Sequence, residues 1–427
     1  MSAKRRVVIT GMGAVTPLGN DVSSTWKGLR EGKSGVGRIT IFNAGSFPTK
    51  IAGEVKNPSF SKWESKSEEF SHICRNSLFA LEAAEEAVRD SGFDGRVQPE
   101  RVGVYFGAGD GGFNFSQYAL VVSEAVQEDQ TVDAKKYFTN SLQKLSPKEI
   151  LEQEPFQVVN HLSGVFNAMG PVSNCLTACA ASSQAIGEAA EIIRHGDADV
   201  MISGGSHSMI HPLGLAGFNL LTALSTRNDQ PQKASRPFDK NRDGFVLSEG
   251  AGVVILEEME HAKKRGAKIY AELAGYGASA DAFRLTDPHS AGRGAIQAMK
   301  LALKHAQLNP SDVDYINAHG TSTQLNDAVE THSVKEVFGG HAKQTPMSSI
   351  KSMLGHMIAA AGVVEIIASI LTIREGIIPA TINYETPDEA CDLDYVPNTA
   401  RRAEVKTVLS NSFGFGGQNI ALIVKKI

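Results

Sequence analysis

The chain has 427 residues, too many for one small core, which calls for two domains or one large duplicated unit. Hydrophobic residues make up 42% and charged residues 21%, a globular balance that argues against disorder. Forty-two basic against 47 acidic residues leave a net charge of −5, so no general basic field draws the chain to nucleic acid, and four cysteines are too few for a disulfide scaffold.

The start, MSAKRRVVITGMG, passes from a few basic residues straight into an apolar run and has no signal-peptide pattern, so the expected location is the cytoplasm. Residues 6–10 (RVVIT) read as a buried strand, 77–90 as an Ala- and Glu-rich helix, and 102–106 (VGVYF) as a second strand. Residues 113–157 are polar and read as an insertion, with a helix after Ser146-Pro147, where proline suits a first turn. Strands follow at 199–203 and 252–256, a helix from near Ala291, a strand at 313–317, and a final strand pair at 405–409 and 420–424 around a glycine turn. Short β-branched strands alternating with small-residue helices define an α/β fold. The longest apolar stretch, 357–373, contains Glu365 and is too short and mixed for a membrane span.

Two stretches repeat in outline. SLFALEAAEEAVRDSGFDGRVQPERVGVYFGAG parallels AIQAMKLALKHAQLNPSDVDYINAHG, and the segment around Cys179 parallels the one around His356, 177 residues further on. A true duplication would bring corresponding loops of both halves to one site. Cys179, in TACAASSQAIGEAAEIIRHG, is expected at a helix N-terminus, where unpaired N–H groups favour a thiolate. His319 in NAHGTST and His356 in KSMLGH each sit beside a glycine at the tip of a strand-like segment, and with Cys179 they would supply a nucleophile and two hydrogen-bonding imidazoles. No CxxC pair or HExxH helix is present and no metal is expected; GMGAVTPLGN matches neither nucleotide-binding glycine loop, so no cofactor is expected either.

Together these motifs resemble the β-ketoacyl-acyl-carrier-protein synthases, the elongating condensing enzymes of the thiolase superfamily. The likeness runs from VVITGMGAVTPLGN through TAC, LSTRNDQPQKASRPFDKNRDGFVLSEGAG, NAHGTST and KSMLGH to NSFGFGG, in the family's order and over nearly the whole chain. It implies a duplicated thiolase fold of five αβαβα layers, with residues 1–260 carrying the nucleophile and 261–427 both histidines. It further implies a homodimer, with acyl- and malonyl-loaded acyl carrier protein as partner. Carried over by motif, Cys179 is the nucleophile and His319 and His356 complete the catalytic set. Lys351 and Glu330 match an ion pair beside it, and Phe415 a gate. The backbone N–H groups of Cys179 and Phe415 match an oxyanion hole, while Phe413, Thr321, Thr323 and Asp110 face substrate. The implied reaction is decarboxylative Claisen condensation of malonyl carrier with a Cys-bound acyl chain in fatty acid elongation. Asp110 stands where relatives usually carry an apolar or glycine residue, Thr222 where a basic residue often meets the carrier, and Glu68 and Glu69 add acid where relatives tend to be basic. Asp110 and Thr222 keep a second reading open, a ketosynthase subunit of a type II polyketide or specialised lipid pathway.

Overall fold

A computed structural model describes residues 5–64, 72–93, 97–109 and 114–427. Glu68, Glu69 and Asp110 lie outside the described residues. In chain order the principal strands are β1 (Val7–Val15), β2 (Val102–Ala108), β3 (Val172–Cys175), β4 (Val200–His207), β5 (Gly250–Glu258), β6 (Ala271–Ala280), β7 (Tyr315–Asn317), β8 (Met347–Ser348), β9 (Thr407–Phe413) and β10 (Gln418–Lys425). They hydrogen-bond in the order β3-β2-β4-β5-β1-β6-β10-β9-β7-β8. From the middle outward, β1-β5-β4-β2-β3 is matched strand for strand by β6-β10-β9-β7-β8, and parallel and antiparallel pairings agree throughout. The two series join where β1 meets β6, through the pairs Val8↔Glu272 and Ile9↔Ala271.

Helices α1 (Arg75–Ser91) and α2 (Phe156–Phe166) cover the outer face of the first series. Helices α4 (Arg293–Ala306) and α5 (Gln324–Phe338) cover the outer face of the second. Between them lie α3 (Ala181–His195) and α6 (Ala361–Glu375), packed on each other, which completes the five αβαβα layers. α6 is buried without a break from Ala361 to Ile373, as a helix that is apolar all round must be. The middle helices approach closely because they are built from small residues. Val363 N–H donates to Ser182 Oγ at 3.0 Å, and the Ser183 and Ser412 hydroxyls meet at 2.8 Å.

Each middle helix is entered through the same device, a non-glycine residue at positive φ opening a 3₁₀ turn: Ala178 (φ 46°) before Ala178–Ala180, and Ile358 (φ 42°) before Ile358–Ala360. The repeat is therefore offset by 180 residues rather than the 177 that aligns Cys179 with His356. Cys179 lies inside its turn, whereas His356 lies ahead of its own.

The described part of the insertion folds as helices Phe115–Ala125, Ala134–Lys144 and Pro147–Leu151. Pro147 occupies the first turn, as its fixed φ favours, and the Ser146 side chain caps it by accepting from Glu149 N–H.

Candidate active site

Cys179, His319 and His356 come from three distant stretches and meet at the floor of one cleft, a cavity of about 300 Å³. One ligand-type atom of each lies within 4.8 Å of the others, and all three residues are buried. The imidazole rings stand edge to face, centroids 5.5 Å apart. Phe413 packs on His319 (5.7 Å) and Phe245 on His356 (5.3 Å), so both rings are held by aromatic edges.

The hydrogen bonds decide which ring nitrogen carries the proton. Ile358 N–H donates to His356 Nδ1 at 3.2 Å, which leaves the hydrogen on Nε2, and that atom has no partner among the described residues. Lys351 Nζ lies 3.4 Å from His319 Nδ1 and donates to the His319 carbonyl oxygen at 2.7 Å, again leaving Nε2 as the N–H. Burial holds both imidazoles well below the usual histidine range, and the Lys351 charge lowers them further. The site therefore offers two neutral Nε2–H donors.

For Cys179 the expectation of a helix-stabilised thiolate is corrected. Complete burial pushes the thiol up to about 11, although the amide N–H groups of Phe415 and of Cys179 itself, and the Lys351 charge, pull the other way. Desolvation wins because the sulfur lies in an apolar cluster with Ile210, Leu224, Phe245 and Ile358. The Phe415 and Cys179 amides both point at the sulfur. Gly414 allows this approach, since a Cβ there would lie 2.7 Å from the Thr177 carbonyl oxygen and 3.5 Å from Cys179 N. Gly416 and Gly417 turn the loop at φ 87° and 80°, left-handed values that other residues adopt at a cost.

The expected pair between Lys351 and Glu330 is not formed. Lys351 pairs with Glu365, which is fully buried on α6, while Glu330 accepts from His319 N–H (2.9 Å), Gly320 N–H (2.8 Å) and Asn411 Nδ2 (3.1 Å). Glu330 thus fixes the backbone that carries His319, and Lys351 with Glu365 fixes the ring. Burial raises both carboxyls, to about 7, against the pull of the Lys351 charge on Glu365 and of the N–H donors on Glu330. Sequence reasoning missed Glu365 and Asn411 as members of the site. The signal for Glu365 was present: an isolated carboxylate in the apolar run AGVVEIIASIL needs a buried partner. Thr321 and Thr323 line the cleft, their hydroxyls 2.9 Å apart. Cys179, His319 and His356 are also a donor set for which a thiophilic cation would compete.

A ten-stranded repeat around two middle helices, with a thiol and one imidazole at their entrances and a second imidazole on the loop after β7, is the ketosynthase type of thiolase fold. The chain belongs to the β-ketoacyl synthase family: the profile of the family's N-terminal domain matches residues 4–262 and that of its C-terminal domain residues 270–385. It is 47% identical to the 3-oxoacyl-[acyl-carrier-protein] synthase 2 of Coxiella burnetii (strain RSA 493 / Nine Mile phase I), over 99% of each chain. A β-ketoacyl synthase from Burkholderia phymatum STM815 superposes with a TM-score of 0.88 at 34% identity, covering 99% of this chain and all of that one. The ketosynthase of a type II PKS, solved with its acyl-carrier protein and bound to the hexaketide, superposes at 0.86 with 36% identity over the whole of both chains.

Proposed function

We propose that the chain is an elongating 3-oxoacyl-acyl-carrier-protein synthase acting in fatty acid synthesis. The observation that carries this reading is the pair of neutral imidazoles presenting Nε2–H beside one buried thiol. In the first step the Cys179 sulfur attacks the carbonyl carbon of an acyl thioester borne by acyl carrier protein. The developing oxyanion takes hydrogen bonds from the Cys179 and Phe415 amides, the carrier sulfur departs, and it collects the proton that Cys179 gave up. In the second step malonyl carrier enters, and His319 and His356 donate to its thioester oxygen. The C–C bond to the carboxylate breaks, carbon dioxide leaves, and the electron pair becomes an enolate held by the two donors. The enolate carbon attacks the acyl-cysteine, the Cys179 sulfur leaves and takes up a proton, and the product is a 3-oxoacyl thioester on the carrier. No step calls on an organic cofactor.

The reading separates the two half-reactions, and so does its test. His356→Ala should leave acyl transfer to Cys179 within a few-fold of normal while slowing condensation by about 10²–10³-fold, as loss of an oxyanion donor does. Rapid-quench assays of each half-reaction measure this; an equal loss in both would contradict the assignment. The likeness to a type II PKS ketosynthase supports the second reading, a polyketide or specialised lipid enzyme. Primer panels of saturated, unsaturated and ketide chains separate the two, and inactivity on every fatty primer would select it.

The chain is further proposed to work as a homodimer in the cytoplasm. Among the described residues strand β3 pairs only with β2, with Val172 exposed on it and Met169 and Leu176 exposed on either side, and an open edge seeks a partner strand. Val172→Glu should shift the protein from dimer to monomer in light scattering at micromolar concentration; an unchanged mass would move the interface elsewhere. No disulfide joins the four cysteines, and among the described residues no helix is long and apolar enough to cross a membrane.

A further inference from the structure

The cleft leading to Cys179 opens between three surface segments: helix Pro212–Leu220 with the turn after it, the loop 281–289, and the turn 321–323 running into the first residues of α5. The helix, PLGLAGFNL, carries no charged residue, and its outward positions Leu213 and Leu220 stand exposed, Leu220 at 85%. The next turn presents Leu221, and its shape is fixed by Thr222 N–H donating to Asn219 O at 2.9 Å. The second loop projects Phe283 and Leu285, the latter 77% exposed, and the third projects Leu325. Gly416 N–H donates to Leu285 O, which ties this rim to the loop carrying Phe415. Large apolar side chains grouped around a cleft mouth mark an interaction surface.

The mouth carries little unpaired charge: Asp281 is buried and accepts from Asn419 Nδ2 at 3.1 Å. Asp243, Asp281 and Asp287 line the cleft, and among its lining residues there is no lysine or arginine. Arg284, beside the rim, is paired with Asp287 at 3.1 Å and covers the Phe283 ring at 5.3 Å. Among the described residues the mouth offers a partner exposed leucines and few free charges, not a basic patch.

We infer that this rim receives the acyl carrier protein through apolar contact, with Leu220, Leu221, Phe283, Leu285 and Leu325 seating an apolar face of the carrier. The inference rests on the function proposed above. A thioester tethered to the carrier must pass through this cleft to reach Cys179, so the body of the carrier comes to rest on the rim. A second copy of the chain has its own place at the open edge of β3, and among the described residues lining the cleft no lysine or arginine offers an anionic lipid surface a hold. The sign of the salt response follows. Docking by opposite charge weakens steeply with ionic strength, whereas apolar docking does not.

The experiment compares malonyl carrier with malonyl-pantetheine, which has the arm without the protein, on the full-length enzyme. The double variant Leu220→Asp/Leu285→Asp should raise KM for malonyl carrier at least tenfold and leave KM and kcat for malonyl-pantetheine within twofold. Leu220→Ser/Leu285→Ser should give a smaller rise in the same direction. For the unaltered enzyme, KM for malonyl carrier should stay level or fall between 50 and 400 mM NaCl. An unchanged carrier KM in both variants, an equal loss on both substrates, or a tenfold rise of KM with salt would each overturn the inference. Failure of the unaltered enzyme to condense either substrate would instead overturn the function on which it rests.

Discussion

Cys179→Ala should remain folded and take up no acyl group from acyl carrier protein, with condensation reduced by on the order of 10⁴-fold or more, as loss of a nucleophile does elsewhere. The variant removes one sulfur from a buried position, at a cost of about 1 kcal/mol, so an unfolded protein is not the expected explanation of inactivity. Intact-protein mass spectrometry after mixing with acyl carrier reads the adduct directly, and a single-turnover assay reads condensation. Decarboxylation of malonyl carrier should persist, because His319 and His356 are held by Lys351, Glu330 and the Ile358 amide rather than by the sulfur. An alanine variant that still elongates would remove the covalent step. Burial raises the resting thiol to about 11, against the pull of the Phe415 and Cys179 amides and the Lys351 charge, which favour the anion.

Glu365→Ala should be among the most destabilising single changes in the chain, at about 3–5 kcal/mol, because it leaves the Lys351 ammonium buried without its counter-charge. Equilibrium denaturation should show a lower midpoint, and restoring neutrality with Lys351→Met in the same chain should recover most of the loss. The double variant should stay impaired in condensation, since His319 Nδ1 then lacks the neighbour that sets its proton on Nε2. A Glu365→Ala protein as stable as the parent would show that Lys351 finds another partner.

Much of the outline of the fold was legible locally, although the strands Val172–Cys175, Ala271–Ala280 and Met347–Ser348 and the helix Gln324–Phe338 were not read from the sequence. The run RVVIT reads as a strand, which the structure extends to Val15, and Pro147 after Ser146 reads as a helix start. The three site residues were legible through motif and order. What stayed hidden depends on distance through space. Glu330 and Glu365 are both carboxylates downstream of His319, and nothing in their spacing tells which one reaches Lys351; the packing of α6 decides it. The state of the Cys179 thiol was misjudged for a related reason. A helix N-terminus is visible in a sequence, but the apolar wall formed by Ile210, Leu224 and Phe245 is assembled from elsewhere, and its desolvation outweighs the dipole. The repeat was visible in outline and misaligned by three residues, since sequence likeness follows composition while the backbone follows the positive-φ residues Ala178 and Ile358.

Those two matching turns pack against each other at the centre of the molecule. One seats Cys179; at the equivalent seat in the other stands Ala359, a methyl group. A frame with nearly twofold symmetry has thus been made chemically lopsided, and the direction of bond formation is written into it. The electrophile is anchored on one side of the pseudo-axis, and the carbanion is born under the imidazoles contributed by the other.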